Sequence, residues 1–393
     1  MGRARAVNQM GATLTYNLSP LPSLLLVGAL LALGPVIYVW IRHGWQTQSQ
    51  RIQALRVLTL FLTFDLLLFG AFTRLSDSGL GCPDWPGCYG HTSPMGAAAA
   101  IAEVQSQMPN GPVTHAKAWI EMLHRYLATA VGALIVLLTT VSWRDWLRRG
   151  GSQPWLPTLT LVWVCLQGAF GALTVTMRLF PAIVTLHLLG ALVLLALLCV
   201  QVVRGDGSHR ALQLLPTTAR RLLVLSSALL LLQVALGAWV SSNYAVLACS
   251  DFPTCQGSWW PDMNFLQGFN VWRGLGVNAV GVSIDLAALT AIHYVHRLVA
   301  YGVVLLLMLL AWQLNQMNAW RLQSRVLAAL IILQLATGLG NVLLGWPMLV
   351  ALLHTGGAGA LVLSLTWVAA GVQWRTESPA LAACGQVSPG VGA

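Results

Sequence analysis

Apolar residues recur along this chain in runs of about 20, separated by short stretches where charge, proline and glycine collect. Runs of that length match the hydrocarbon thickness of a bilayer. Inside a bilayer each backbone N–H and C=O must be satisfied within its own segment, so the runs predict helices rather than strands. Read between their polar boundaries, they predict nine spans at about 21–41, 55–73, 118–141, 156–176, 182–203, 220–241, 286–312, 324–344 and 348–371. The first run is too long for a signal-peptide core and no small-residue cleavage site follows it, so it reads as a retained anchor helix.

The pattern repeats. Cys82-Pro-Asp-Trp-Pro-Gly-Cys88 returns 167 residues later as Cys249-Ser-Asp-Phe-Pro-Thr-Cys255, and Leu166-Gln167 with Gly171 returns at the same offset as Leu333-Gln334 with Gly338. His187 matches His354 at 167, while His124-Arg125 matches His296-Arg297 at 172, because the second outer loop is five residues longer. The expected architecture is an all-α polytopic membrane protein of two pseudo-equivalent four-helix transmembrane bundles plus one extra N-terminal transmembrane helix. Its expected units are 1–54 (anchor helix and linker), 55–203 (N-terminal bundle), 204–219 (linker), 220–371 (C-terminal bundle) and 372–393 (tail). Four spans is an even number, so both copies enter from the same side as parallel repeats.

Composition agrees with the spans. A chain of 393 residues suits two or three soluble domains, but only 8% of these residues are charged, where soluble proteins carry about 25%. The net charge of +10 is scattered over short loops, which excludes a nucleic-acid footprint. Thirteen arginines fall in loops 42–56, 144–154, 204–221, 313–325 and the tail, among them Arg210 and Arg375. The opposite side holds Arg74, Lys117, Arg178 and Arg273, with Arg3 and Arg5 on the N-terminal tail. The arginine-rich side is the expected cytoplasmic side. Loops 74–117 and 242–285 and the N-terminus then lie outside, an assignment that Arg3 and Arg5 oppose for the first span.

Of nine histidines, His43, His91, His115 and His209 fall in loops, whereas His124, His187, His293, His296 and His354 fall inside apolar spans. Ionisable side chains in a span are costly and face a bundle interior with a partner. Counted from the outer end, His124, His187 and His354 lie about six residues into their spans and His296 about ten, or roughly 9–15 Å deep. Each copy thus supplies one histidine from its second helix and one from its fourth, an arrangement suited to two axial ligands of a planar macrocycle. The reading is one bis-His haem per bundle, with structural polar packing as the alternative. Zinc requires three or four ligands, and no third helix offers one at that depth.

Arg125 and Arg297 suit haem propionates, or snorkel to the interface; Arg74 is a third such cation. Three residues before the helical histidine, copy one has Glu121 and copy two has His293. A buried carboxylate beside a macrocycle can act as base or stabilise a cation, so copy one reads as reactive and copy two as an electron-transfer site. Intramembrane Asp65 reads equally as functional or as helix packing. The paired loop cysteines are expected as intraloop disulfides rather than free thiols, and Cys165, Cys199 and Cys384 as structural residues.

Phe72-Thr-Arg74-Leu-Ser-Asp-Ser78-Gly79-Leu80, the Cys82–Cys88 loop, Glu121-Met-Leu-His124-Arg125 and His296-Arg297, in that order, resemble the heme A synthase family of bacterial type over about 55–371. The resemblance implies oxidation of a porphyrin methyl of haem O to the formyl of haem A, for terminal oxidases. It implies a substrate site in the N-terminal bundle with Glu121, His124 and His187, to which the candidate cations Arg74 and Arg125 are added. It also implies a haem b cofactor in the C-terminal bundle, held by His296 and His354 beside Arg297, and loop cysteines Cys82, Cys88, Cys249 and Cys255. Implied partners are haem O, heme O synthase, terminal oxidase assembly, membrane lipid, and an electron donor or acceptor. The implied location is the bacterial inner membrane, multi-pass, with both haem sites near the periplasmic face. The extra first span and His293 depart from the family pattern. A diheme bis-His electron carrier and a haem transporter are the rival readings, and Glu121 in one copy only argues against the first.

Overall fold

The computed structural model describes residues 17–150, 152–205, 213–277 and 281–374. Arg3, Arg5, His209, Arg210, Arg375 and Cys384, with parts of the 204–219 linker and the 372–393 tail, lie outside them. Nine helices among the described residues are long and apolar enough to cross a membrane. They are α1 (Leu21–Arg42), α2 (Gln48–Leu75), α4 (His115–Arg149), α5 (Trp155–Thr176), α6 (Pro181–Gly205), α7 (Thr217–Ser242), α9 (Leu286–Asn315), α10 (Arg321–Leu343) and α11 (Met348–Gly371). The outer loops add α3 (Ala98–Gln107), a one-turn α8 (Phe265–Gly268) and a 3-10 turn at Ala245–Ala248.

Several helices outrun the apolar runs that predict them. Helix α2 begins at Gln48 rather than 55, and α4 extends from His115 to Arg149 rather than from 118 to 141. The cause is capping chemistry outside the apolar segment. Thr47 accepts the Gln50 N–H while the Gln50 side chain accepts the Thr47 N–H, a reciprocal capping box that makes the polar first turn helical. Thr114 accepts the Lys117 N–H at the start of α4, and Asp285 accepts the Ala288 N–H at 2.6 Å at the start of α9. At the far end of α4 the chain stops at Gly150, whose φ of 72° suits glycine.

Helices α2, α4, α5 and α6 pack in a closed ring, each touching the next, and α7, α9, α10 and α11 do the same. The two rings meet along α6, which touches α7 and α11, and along α2, which touches α11. The largest core cluster crosses this seam, joining Leu67, Leu192 and Leu195 to Leu223, Leu361 and Leu365. Small residues let the backbones close up there: a Cβ on Gly356 would come 2.7 Å from Leu68, and one on Gly359 would come 3.3 Å from Phe64.

Helix α1 stands outside both rings and packs on α4, where a Cβ on Gly28 would meet Thr129 at 2.6 Å. Its start lies at the first cysteine loop: Pro20 sits against Gly87, and Leu24 is buried in one cluster with Cys82, Cys88 and Ile101. The start of α1 and the first cysteine loop are therefore at the same end of the molecule.

Candidate functional site

Each cysteine loop is closed by a disulfide, Cys82–Cys88 in the first and Cys249–Cys255 in the second, and all four cysteines are fully buried. Both loops follow the pattern Cys-x-Asp-x-Pro-x-Cys-x-Gly, and the aspartate explains the spacing. Asp84 accepts the N–H groups of Tyr89 and Gly90 at 2.6 and 2.8 Å, and Asp251 accepts those of Gln256 and Gly257 at 2.6 and 3.0 Å. The glycine is required where φ reaches 75° and 73°. The Thr254 hydroxyl first, then the Gly257 and Gln256 N–H groups, hold the half-buried Asp251 carboxyl down at about 2. Maleimide mass-tagging without reductant is expected to label at most Cys165, Cys199 and Cys384. Tagging of Cys82 or Cys249 in the untreated protein would contradict the bonded loops.

Beneath each loop lies one buried arginine. Arg125 Nη1 donates to the carbonyls of Asp84, Pro86 and Gly87 at 3.0, 3.1 and 2.5 Å. Arg297 Nη1 donates to Asp251 and Thr254 at 2.8 and 3.0 Å, and its Nη2 to Cys249 at 2.8 Å. Both also border the large cavity, with Nη1 of each spent on its loop. Arg74 latches the two rings together: its Nη2 donates to the Ser241 carbonyl at 2.7 Å, and its guanidinium lies 4.2 Å from the Tyr244 ring centroid. Asp77 accepts from both Arg74 and the Tyr244 hydroxyl.

Glu121 and His293 occupy equivalent seats, each four residues before its arginine. The Glu121 carboxylate accepts from Arg125 Nη2 through Oε1 and from the Cys82 N–H at 2.8 Å through Oε2. His293 does the same work without charge: Arg297 Nε donates to its Nε2 at 3.1 Å, and its Nδ1 donates to the Ala245 carbonyl at 3.0 Å. The first seat therefore holds a carboxylate paired with a guanidinium, and the second a neutral imidazole beside an unneutralised one.

The four matched histidines all line one apolar cavity of about 1480 Å³, which also borders Glu121 and His293. That exceeds the roughly 300–1,000 Å³ of an ordinary small-molecule pocket, so there is room for more than one large ligand. His124 and His187 are within electrostatic reach of each other, as are His296 and His354. Each faces a glycine of a neighbouring helix. A Cβ on Gly70 would come 2.9 Å from His124, on Gly171 3.5 Å from His187, on Gly237 3.0 Å from His296, and on Gly338 3.3 Å from His354. Because α4 starts at His115, His124 lies nine residues into its helix rather than six; the extra turn is polar. Exposed Asp65 lies away from the cavity on the outer face of α2.

Sequence reasoning did not single out Gly70 and Gly237, although Gly70-Ala-Phe returns as Gly237-Ala-Trp at the same 167-residue offset. It also passed over Thr337, whose hydroxyl lies 3.0 Å from His354 Nδ1, and Gln233, whose Nε2 donates to the His296 carbonyl at 3.1 Å and touches the imidazole edge. Nothing in the one-dimensional pattern distinguishes these from ordinary helix residues.

The donor set fits haem: four imidazoles on the wall of one apolar cavity, each cleared by a glycine of a neighbouring helix, with His187 Nδ1 buried and unpartnered among the described residues. Comparison with known proteins points the same way. Residues 53–366 match the family model for COX15-CtaA, described as cytochrome oxidase assembly protein. A protein named heme A synthase from Shewanella oneidensis is 37% identical over 314 residues, covering 79% of this chain and 93% of its own. Proteins of that name from Novosphingobium aromaticivorans and Halalkalibacterium halodurans are 28% and 27% identical over 79% and 76% of this chain, covering 91% and 88% of their own. Helix α1 lies wholly before the matched region. With four-fifths of its length matched, this chain belongs to the COX15-CtaA family of cytochrome oxidase assembly proteins.

Proposed function

We propose that the protein is a haem A synthase, a membrane oxidoreductase that converts the methyl group of haem O to the formyl group of haem A. The observation that carries the reading is one asymmetry between the two histidine pairs: only the first has a buried carboxylate one helical turn from a proposed ligand. Residues 55–203 supply the substrate unit, in which His124 and His187 would hold haem O and Glu121 would act on it. Residues 220–371 supply the cofactor unit, with His296 and His354 as ligands of haem b. Haem b, when bound, supplies one-electron chemistry.

The chain's own contributions follow from the geometry. The apolar wall keeps water from the substrate, and Gly70 and Gly171 leave His124 and His187 room to turn toward a metal. Glu121 is held in place by the Cys82 N–H and Arg125 and presents a carboxylate that can take a proton or stabilise positive charge as the methyl is oxidised. Arg125 and Arg297 fix the loops that roof each site, and their remaining N–H groups are available to propionates; Arg74 joins the two roofs. The excess of arginine in the loops at the other end supports a cytoplasmic side there, and with it both sites near the periplasmic face of a bacterial inner membrane.

The test is chromatographic identification of the haems extracted from purified protein. Haem O or haem A beside haem b is the expected result. Haem b alone, at two per chain, would overturn the synthase in favour of a diheme electron carrier.

A further inference from the structure

The two histidine pairs differ in what stands behind them. His354 Nδ1 lies 3.0 Å from the Thr337 hydroxyl, one helix away on α10. That hydroxyl has one proton, and it is committed to the backbone, donated to the Leu333 carbonyl at 2.7 Å with the Gln334 carbonyl at 3.4 Å. Toward His354 it can only accept, so His354 carries its proton on Nδ1 and leaves the lone pair on Nε2. This is the tautomer a metal ligand needs, with the outer-shell partner that raises the ligand's basicity. Thr337 is buried at 6% exposure, so water does not substitute for it.

The matching position in the first ring, 167 residues earlier, is Phe170, which has no polar group. His187 Nδ1 accordingly has no hydrogen-bond partner among the described residues. On His124 the Phe69 ring is stacked, with centroids 6.3 Å apart and planes at 11°. The first pair is left free to bind and release, as a turnover site requires, and the second is braced.

We infer that Thr337 is a positioning residue that fixes His354 in the Nδ1-protonated form and makes the second histidine pair the one that retains its haem. The inference rests on the proposed ligand set, and one series of variants separates the two. The full-length protein is purified with its haem, and three quantities are measured: the low-spin spectrum, the midpoint potential, and the rate at which excess haem-free globin strips haem from it. Loss of the Nδ1–H···O bond weakens imidazole donation to the ferric ion. Thr337→Val is therefore expected to shift the potential upward and to speed haem loss about tenfold, the low end of what outer-shell substitutions cost in metal affinity. Thr337→Ser, which restores the hydroxyl, should return both to the parent values. Thr337→Ala, which removes the hydroxyl without adding bulk, should repeat the Val result if the Val protein is not recovered. Parent-like potential and haem loss in the Val or Ala protein would overturn the role of Thr337, as would equal changes in Ser and Val. His354→Ala tests the underlying ligand set: an unchanged low-spin spectrum there removes that reading and this inference with it.

Discussion

Replacing Glu121 by glutamine should leave the folded protein and its haem b in place while haem A production falls about 100-fold or more and haem O accumulates, the scale of a lost acid–base group. The structure explains why the fold should survive. Gln Oε1 can still accept the Cys82 N–H, and Arg125 keeps its carbonyl partners at Asp84, Pro86 and Gly87. What is lost is the carboxylate partner of a buried guanidinium, a cost of about 3–5 kcal/mol, and Arg297, which has an imidazole in that seat, shows that the arrangement is tolerated. A sharper variant is Glu121→His, which writes the second seat into the first. His293 already shows that an imidazole satisfies the arginine four residues on. The exchange should therefore preserve the loop and abolish the reaction. Extracted haems from cells carrying each variant, with haem b content as the folding control, decide the matter. Normal haem A yield from both variants would reduce Glu121 to a partner of Arg125.

The spans were readable because membrane burial imposes a one-dimensional rule: twenty apolar residues form a helix whatever they pack against. The same rule hides helix ends set by polar caps, as at Thr47 and Thr114, and hides α3, a ten-residue helix inside a loop. The histidines and loop cysteines were readable because their residue types are rare in those places and recur at a fixed offset. Which partner each side chain chooses was not. Arg125 turns to carbonyls some 40 residues earlier in sequence, and Arg297 to carbonyls more than 40 earlier, contacts that no local spacing announces. Reading those arginines from sequence gave a choice between propionates and snorkelling; the structure adds a third use, as the posts on which the disulfide loops rest.

That arrangement makes the roof of each site one mechanical unit. In the first, Cys82 gives its N–H to Glu121, Glu121 pairs with Arg125, and Arg125 holds the far side of the same loop through Gly87. The carboxylate position is thus set by the closed loop rather than by its own helix alone. In the second, His293 takes the place of the acid, and the 3-10 turn that replaces the first loop's approach supplies the Ala245 carbonyl to hold it. The exchange of Glu for His removes the carboxylate while keeping the seat filled.

The glycines opposite the histidines give the test that tells the two sites apart. A Cβ on Gly70 would lie 2.9 Å from His124 Nε2, and one on Gly237 would lie 3.0 Å from His296 Cε1, closer than side-chain carbons ordinarily approach. In both cases the atom in the way is the far end of a side chain, not backbone. The imidazole is what yields, and helix packing is spared. Valine is the informative replacement, since its branched Cβ is stiff about χ1 and cannot turn both methyls away from the ring. Gly237→Val is expected to eliminate the low-spin haem b spectrum and with it haem A production. Gly70→Val is expected to keep that spectrum and to lose haem O conversion, because the displaced histidine is the proposed ligand of the substrate. Difference spectra of purified variants, with extracted haems quantified in parallel, measure both. Loss of haem b from Gly70→Val with retention in Gly237→Val would reverse the assignment of the two halves, and full haem content with normal conversion in both would remove His124 and His296 as ligands.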